Sequence, residues 1–365
     1  MEKIPLPQFN LSNYDFPLNE NNIAQQPLLN KSQIKMLVVN PNTSKNTLKD
    51  TTFYNFIDLV TEKDLIIFND TKVIYSKLKA KKQEATIFLN LHKKLTFNTF
   101  LAFFKNSKRL QETDTLIFKN NITAKITSKI INGEAKLEFN IQPSENIFEL
   151  LAQIGEIPLP PYIKRKETTE EQKKIDAKYY QTIFANQEGS TAAPTAGLLF
   201  DEHILKLLKE KNIKTTSITL HVGAGTFLPV KTQDITEHKM HSEDYTISQE
   251  AATLINETKK AGGRLIAVGT TSLRAIEHNF LTHQKATATT TSTNIFIHND
   301  FNFNVDCLLT NFHLPKSSLF ILVSSFCGLN TMQTAYKHAI TQDYRFFSYG
   351  DCCFLHKKIT NPQPI

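Results

Sequence analysis

Residue pattern alone points to an α/β fold: a mixed or largely parallel sheet with helices, carrying an inserted small all-β barrel domain. Strand, turn and helix patterns alternate through residues 200 to 280, which is how βα units and a parallel sheet read in sequence. From about Tyr75 to Phe139 the texture changes to short β-prone runs such as TIFLNL, TLIFKN and AKLEFNI, separated by Asn, Asp or Gly. Strands at that spacing predict a small barrel or sandwich. A chain of 365 residues also exceeds what one core ordinarily holds. The expected division is an α/β core of 1–74 and 145–365, with 75–144 inserted as a β domain.

In chain order, Leu37 to Val39 reads as a strand, and Phe53, Phe56, Ile57 and Val60 as one face of a short helix. Leu65 to Phe68 is a buried strand, and Asn69-Asp70-Thr71 a turn at its end, where open α/β sheets gather ligands. After the β region, Ile147, Leu150, Leu151 and Ile154 share a helix face stopped by Gly155. Three prolines, Pro158, Pro160 and Pro161, force an extended path, and Glu167 to Lys174 reads as an exposed, mobile charged loop. The small residues of GSTAAPTAG (Gly189 to Gly197) precede a helix from Glu202 to Lys211, capped by Asp201. Such a turn offers backbone N–H groups and a positive helix end to an anion, or simply packs tightly.

Ile218 to Leu220 is a strand running into His221 and the turn Val222 to Thr226, whose Gly223 and Gly225 let backbone approach a ligand. Ser248 to Ala261 is a helix stopped by Gly262-Gly263. Arg264 to Val268 is a strand, Gly269-Thr270-Thr271 a turn and Ser272 to His278 a helix. Ile295 to Ile297 reads as an edge strand, Met332 to Ile340 as a helix and Gly350 to Leu355 as the last strand. Ser317, with Pro315 before it, caps a helix that starts at the apolar run Leu319 to Val323.

The longest apolar runs fall far short of the roughly 20 residues that a membrane helix needs, and the N-terminus has no signal-peptide core. A soluble, cytosolic protein is expected. The four cysteines, Cys307, Cys327, Cys352 and Cys353, have no zinc spacing and read as buried thiols. Net charge is +7, and basic residues cluster at Lys77 to Lys82, at Lys93 and Lys94, at Lys105, Lys108 and Arg109, and at Lys164, Arg165 and Lys166. Such clusters suit RNA phosphates, or serve as solvated faces.

Two stretches concentrate chemistry: TNFHLPKSS (Thr310 to Ser318) and YRFFSYGD (Tyr344 to Asp351). Together with LPPYIKR (from Leu159), AAPTAGLLF (from Ala192), LHVGAGTFLPV (from Leu220), HKMHSEDY (from His238) and AVGTTSLRAIE (from Ala267), they resemble the signature blocks of the S-adenosylmethionine:tRNA ribosyltransferase-isomerase family of queuosine biosynthesis, in the same order. IFNDTKVI and KNSKRL match more loosely. The resemblance implies a mixed α/β core with an inserted β-barrel. It also implies transfer and isomerisation of the ribosyl group of S-adenosylmethionine onto 7-aminomethyl-7-deazaguanine at the tRNA wobble position. The product is epoxyqueuosine; adenine and methionine leave. S-adenosylmethionine is then the co-substrate, no metal is needed, and the partner is tRNA with a modified wobble guanine, bound by a monomer.

That chemistry needs a base beside the sulfonium and an acid for adenine. The resemblance favours His221 and His313 for it; His241 and Asp351 are further candidates, with His238 and Glu243 nearby, and Asp351 and Asp70 equally suit ribose hydroxyls. Co-substrate contacts fall on Asn69, Asp70, Thr195, Gly197, Gly223, Gly225, Thr270, Thr271, Arg274, Asn311 and Lys316. Arg274 or Arg345 suits the methionine carboxylate, or makes a structural ion pair. RNA contacts fall on Lys105, Lys108, Arg109, Lys164, Arg165 and Arg345, with Phe104, Tyr162, Tyr344, Phe346 and Phe347 as stacking aromatics or as core. The sequence departs from the family's pattern at Leu199, where a histidine is usual, at Asn299-Asp300, where Pro-Gly is usual, and in having no tryptophan. Two other readings stay open: a catalytically impaired tRNA-binding relative, and an S-adenosylmethionine-dependent RNA methyltransferase, which the absence of a glycine-rich nucleotide loop opposes.

Overall fold

The structure is a computed structural model that describes residues 6–44, 47–105, 107–165, 169–223 and 229–359. Its elements run β1 (Lys35–Val39), β2 (Leu48–Thr52), β3 (Leu65–Asn69), β4 (Thr71–Val73), β5 (Lys77–Lys82), β6 (Ala85–Lys94), β7 (Thr99–Phe104), β8 (Thr115–Ile117), β9 (Thr123–Ile126) and β10 (Glu134–Phe139). Then come α1 (Ile147–Ile154), β11 (Gly155–Glu156), α2 (Glu170–Tyr179), β12 (Gln187–Ser190), α3 (Glu202–Glu210), β13 (Lys214–Leu220), β14 (Glu243–Ile247) and α4 (Gln249–Lys260). The chain closes with β15 (Leu265–Val268), α5 (Thr270–His283), β16 (Thr289–Thr293), β17 (Cys307–Asn311), α6 (Ser318–Cys327), α7 (Leu329–Thr341) and β18 (Cys352–His356).

A nine-stranded mixed sheet has the order β16-β14-β13-β3-β15-β17-β18-β1-β2. Its centre, β13-β3-β15-β17, is parallel. β3, β15 and β17 are buried at every position, which is why they read as unbroken apolar runs. Strand alternation splits the core between two faces. Leu37, Leu65, Ile67 and Ala267 meet α4 to α7 on one side, while Met36, Ile66, Phe68 and Val268 meet α3 and the short helix Phe53–Asp58 on the other. Cys353 and Cys352 fall in these opposite cores, as their adjacency in a strand requires.

Six antiparallel strands, β5-β6-β7-β10-β9-β8, close into a barrel through the pairing of β8 with β5, and β11 extends β5. Leu78, Leu89, Ala102, Leu116, Ile126 and Leu137 fill its interior, and α1 adds Ile147 and Leu151 to that core. The short parallel pair β4 and β12 lies between barrel and sheet in sequence.

Four sequence expectations are corrected. Residues 170–179 form a helix rather than a mobile loop, because Thr169 Oγ1 accepts from Gln172 N and Asp176 anchors Arg165. Gly269 alone makes the turn after β15; Thr270 and Thr271 already belong to α5, which runs on to His283. The edge strand is Thr289–Thr293, paired to β14, and 295–297 is irregular because Phe296 packs against His238 and His298 instead. Asn69 and Thr71 sit in β3 and β4, leaving only Asp70 between them.

Candidate active site

The sheet positions a cavity beyond the carboxyl ends of its central strands. The geometry follows from topology: each parallel strand must turn there, and backbone polar groups not used in the sheet point into the gap. Three segments supply most of the polar lining. Thr195 comes from the turn after β12, Thr270 and Thr271 from the start of α5, and Asn311 and His313 from the end of β17. Thr195 Oγ1 donates to Asn311 Oδ1 at 2.8 Å, tying the first segment to the third.

Gly269, at φ +86°, is the residue before α5, and no side chain caps that helix. Its first turn holds no acidic residue. Unpaired first-turn N–H groups and the positive dipole end therefore face the cavity beside Thr270 and Thr271. α6 also begins at the cavity, but Ser317 Oγ already accepts from Phe320 N at 3.1 Å. Ser317 is thus the cap that its sequence position predicts.

His313 is 7 % exposed, and its backbone N–H donates to the Tyr336 hydroxyl. Its Nε2 lies 3.2 Å from Thr310 Oγ1. Burial pushes its pKa down to about 3, so the ring is neutral at physiological pH. Opposite polar groups, Tyr162 and Phe347 stack at 4.5 Å between ring centres, and the Tyr162 hydroxyl pairs with Ser348 Oγ at 2.6 Å. This aromatic pair lines the same cavity.

Other sequence candidates lie elsewhere. His221 and Asp70 share a second cleft with Thr219 and Glu250. There His221 Nδ1 meets Thr71 Oγ1 at 2.8 Å, and Thr219 Oγ1 donates to Asp70 Oδ1 at 2.6 Å. Burial lowers the His221 pKa and raises that of Asp70. His221 and His313 are therefore not brought together. The reason is alternation: Leu220 and Val222 point into the core that borders the cavity, and His221 points away. His241 is exposed. Both Asp351 oxygens accept backbone N–H groups, from Lys35 at 2.8 Å and Arg345 at 2.7 Å, so the carboxylate ties the start of β1 to the segment before β18 rather than lining the cavity.

Asn69 ties β3 to its neighbours: Oδ1 accepts from Leu220 N, and Nδ2 donates to Leu220 O and Thr271 Oγ1. Arg274, one turn into α5, forms a buried ion pair with Glu243, and Glu243 Oε1 accepts from Gly223 N at 3.2 Å. Gly197 packs against Thr182, and Lys316 pairs with Asp15 at 2.7 Å. Gly225 lies outside the described residues.

Of the RNA candidates, Lys105, Lys108 and Arg109 are exposed, and Lys164 pairs with Glu20 at the surface. Arg165 grips Asp176 through Nε and Nη2, and Arg345 Nη2 donates to Gln26 O. Both guanidinium groups are turned inward. Phe104, Tyr344 and Phe346 are core, whereas Tyr162 and Phe347 line the cavity. Leu199 is 3 % exposed within the apolar core around α3. Sequence reading missed Pro194, Phe312 and Ser348 as lining residues; all three lie inside blocks that it had singled out. Among the described residues, no group of three or more His, Cys, Asp or Glu is placed to hold a metal ion.

A ligand cavity at parallel strand ends, with an uncapped helix terminus and an aromatic wall, defines an α/β protein built to hold a small anionic or zwitterionic molecule. The chain belongs to the queuosine biosynthesis protein family, whose family model matches residues 11–355. It is similar to the S-adenosylmethionine:tRNA ribosyltransferase-isomerase of Rickettsia bellii, at 43 % identity over 96 % of this chain and 99 % of that one. The protein of the same name from Zymomonas mobilis is 44 % identical over 94 % of this chain and 98 % of its own. The crystal structure of the S-adenosylmethionine tRNA ribosyltransferase from Thermotoga maritima superposes with a TM-score of 0.54 at 25 % identity, covering 94 % of this chain and 99 % of that one.

Proposed function

We propose that this protein is an S-adenosylmethionine:tRNA ribosyltransferase-isomerase. It moves the ribosyl group of S-adenosylmethionine onto 7-aminomethyl-7-deazaguanine at the tRNA wobble position and rearranges it to epoxyqueuosine, releasing adenine and methionine. The observation that carries this reading is the cavity bounded by the α5 N-terminus, His313 and the Tyr162–Phe347 stack. Its parts match the co-substrate: an N–H-rich helix end for the methionine carboxylate, a flat aromatic wall for adenine, and polar side chains for the ribose. His313 is assigned the proton beside the sulfonium: burial lowers its basicity but keeps the imidazole neutral with an acceptor nitrogen, and the adjacent sulfonium charge makes that proton acidic. Thr195, Thr270, Thr271 and Asn311 are assigned to the co-substrate. His221 and Asp70 sit in the separate cleft, and a role there requires the tRNA base to bridge the two clefts.

Leu199 supports an active enzyme, since its place in the core removes nothing from the cavity. We assign tRNA as the second substrate, residues 75–144 as a distinct inserted domain, and the cytoplasm as the site of action; no described helix is long and apolar enough to cross a membrane. We also assign a monomer as the working state. The test is incubation with S-adenosylmethionine and tRNA bearing 7-aminomethyl-7-deazaguanine, following free adenine and the wobble nucleoside mass. Adenine release with the matching mass gain is expected. Release of S-adenosylhomocysteine in its place would establish a methyltransferase, and tRNA binding without any product an impaired relative.

A further inference from the structure

We propose that the outward face of β5, β6 and β7 is an RNA-stacking platform that leads the strand flanking the target base toward the cavity. The proposal rests on the tRNA reading above and adds the surface that holds it.

Alternation sends Leu78, Leu89 and Phe104 into the barrel and their neighbours outward. Two of those neighbours are large aromatics left in solvent: Phe88 is 47 % exposed and Phe103 38 %. Phe88 is flanked on both sides by lysine. Lys79 lies directly across on β5, with its Nζ 5.9 Å from the ring centre, and Lys105 N donates to Phe88 O on the β7 side. His92 stacks on Phe103 at 4.4 Å. Lys77 and Lys82 are held by Glu156 and Asp114, but among the described residues Lys79, Lys81 and Lys105 have no ion-pair partner. One carboxylate, Glu134, borders the patch 3.4 Å from His92. Exposed rings between unpaired lysines fit a nucleic-acid strand: bases stack on the rings and ammonium groups meet phosphates, whatever the base sequence.

The platform is continuous with a groove lined by Phe88, Lys105, Pro160, Pro161 and Thr191. The next residue after Pro161 is Tyr162, and two residues after Thr191 is Ala193; both line the co-substrate cavity. Ser76 Oγ, fully buried and without a hydrogen-bond partner, also lines this groove and suits a ribose or phosphate oxygen.

The experiment compares tRNA binding by wild type, F88A/F103A, K79A/K105A and, as a distant surface control, K206A, with fluorescence anisotropy at several salt concentrations. F88A/F103A is expected to weaken tRNA binding roughly 10- to 100-fold at all salt concentrations. K79A/K105A should reduce the slope of log affinity against log salt by about 1.4, at ~0.7 per single-strand phosphate. In adenine release the loss should fall on KM for tRNA, not on KM for S-adenosylmethionine. Unchanged affinity and slope in both double variants, with a wild type that still turns over, would overturn the platform while leaving the ribosyl transfer intact. Wild-type tRNA affinity combined with altered oligomeric state in F88A/F103A would assign the rings to self-association and equally overturn it. A wild-type protein that binds no tRNA removes both readings.

Discussion

His313 shows most directly how burial sets chemistry here. Its folded pKa near 3 lies far below the ordinary histidine value, so between those values the unfolded chain binds a proton that the folded chain does not. Stability is therefore full at neutral pH and declines as pH falls below about 6.5. Denaturant unfolding at pH 7.5 and pH 5 should differ by about 2 kcal/mol from this residue alone, and H313Q should remove that part of the difference. The same variant should lower kcat for adenine release by a factor on the order of 100, the usual worth of a positioned proton acceptor. His313 stood out in sequence because it sits in a dense polar block. His221 stood out for the same reason, and the one-residue alternation of a strand end sent it to a different cleft.

Among the elements, α5 is the one whose start makes the site. Gly269 has a backbone conformation that side chains rarely adopt, and it delivers the helix terminus uncapped to the cavity. G269A should cost roughly 1–3 kcal/mol of stability and raise KM for S-adenosylmethionine more than KM for tRNA. Arg274, on the same helix, buries its charge against Glu243. R274A should destabilise by about 3–5 kcal/mol, while a double R274M/E243L should recover most of that loss, because the cost lies in the charge left behind. Denaturant midpoints check both. Sequence pattern read Gly269 correctly as a break but placed the helix start too late, since two threonines after a glycine look like turn residues until tertiary contacts recruit them. It also took the charged segment around α2 for a loop, because that helix is fixed by the Arg165–Asp176 ion pair, a contact that local periodicity does not contain.

At the scale of the whole molecule, charge and cavity are separated. Among the described residues, the cavity is lined by no lysine, arginine or carboxylate, whereas the groove and the barrel face beside it carry exposed lysines such as Lys79 and Lys105. KM for tRNA should rise steeply with salt, and KM for S-adenosylmethionine should barely respond, since buried contacts are screened little. Steady-state kinetics between 50 and 200 mM salt, a window over which phosphate contacts weaken markedly, separate the two.

Runs such as LIIFN and LIAV announced a buried parallel sheet, and alternating β segments announced the barrel, because burial and pleat are local and periodic. Helix α3 with its Asp201 cap and the Ser317 cap of α6 were legible for the same reason. Which polar residues of the signature blocks converge was not. Thr270, Asn311 and His313 meet because β15 and β17 end side by side, and Thr195 joins them from the turn after β12 through its bond to Asn311; Asp351, Arg165 and Arg345 turned inward because backbone groups and one carboxylate claimed them first. Convergence depends on strand order and on which buried group must be satisfied, and neither is written in the spacing of any one segment.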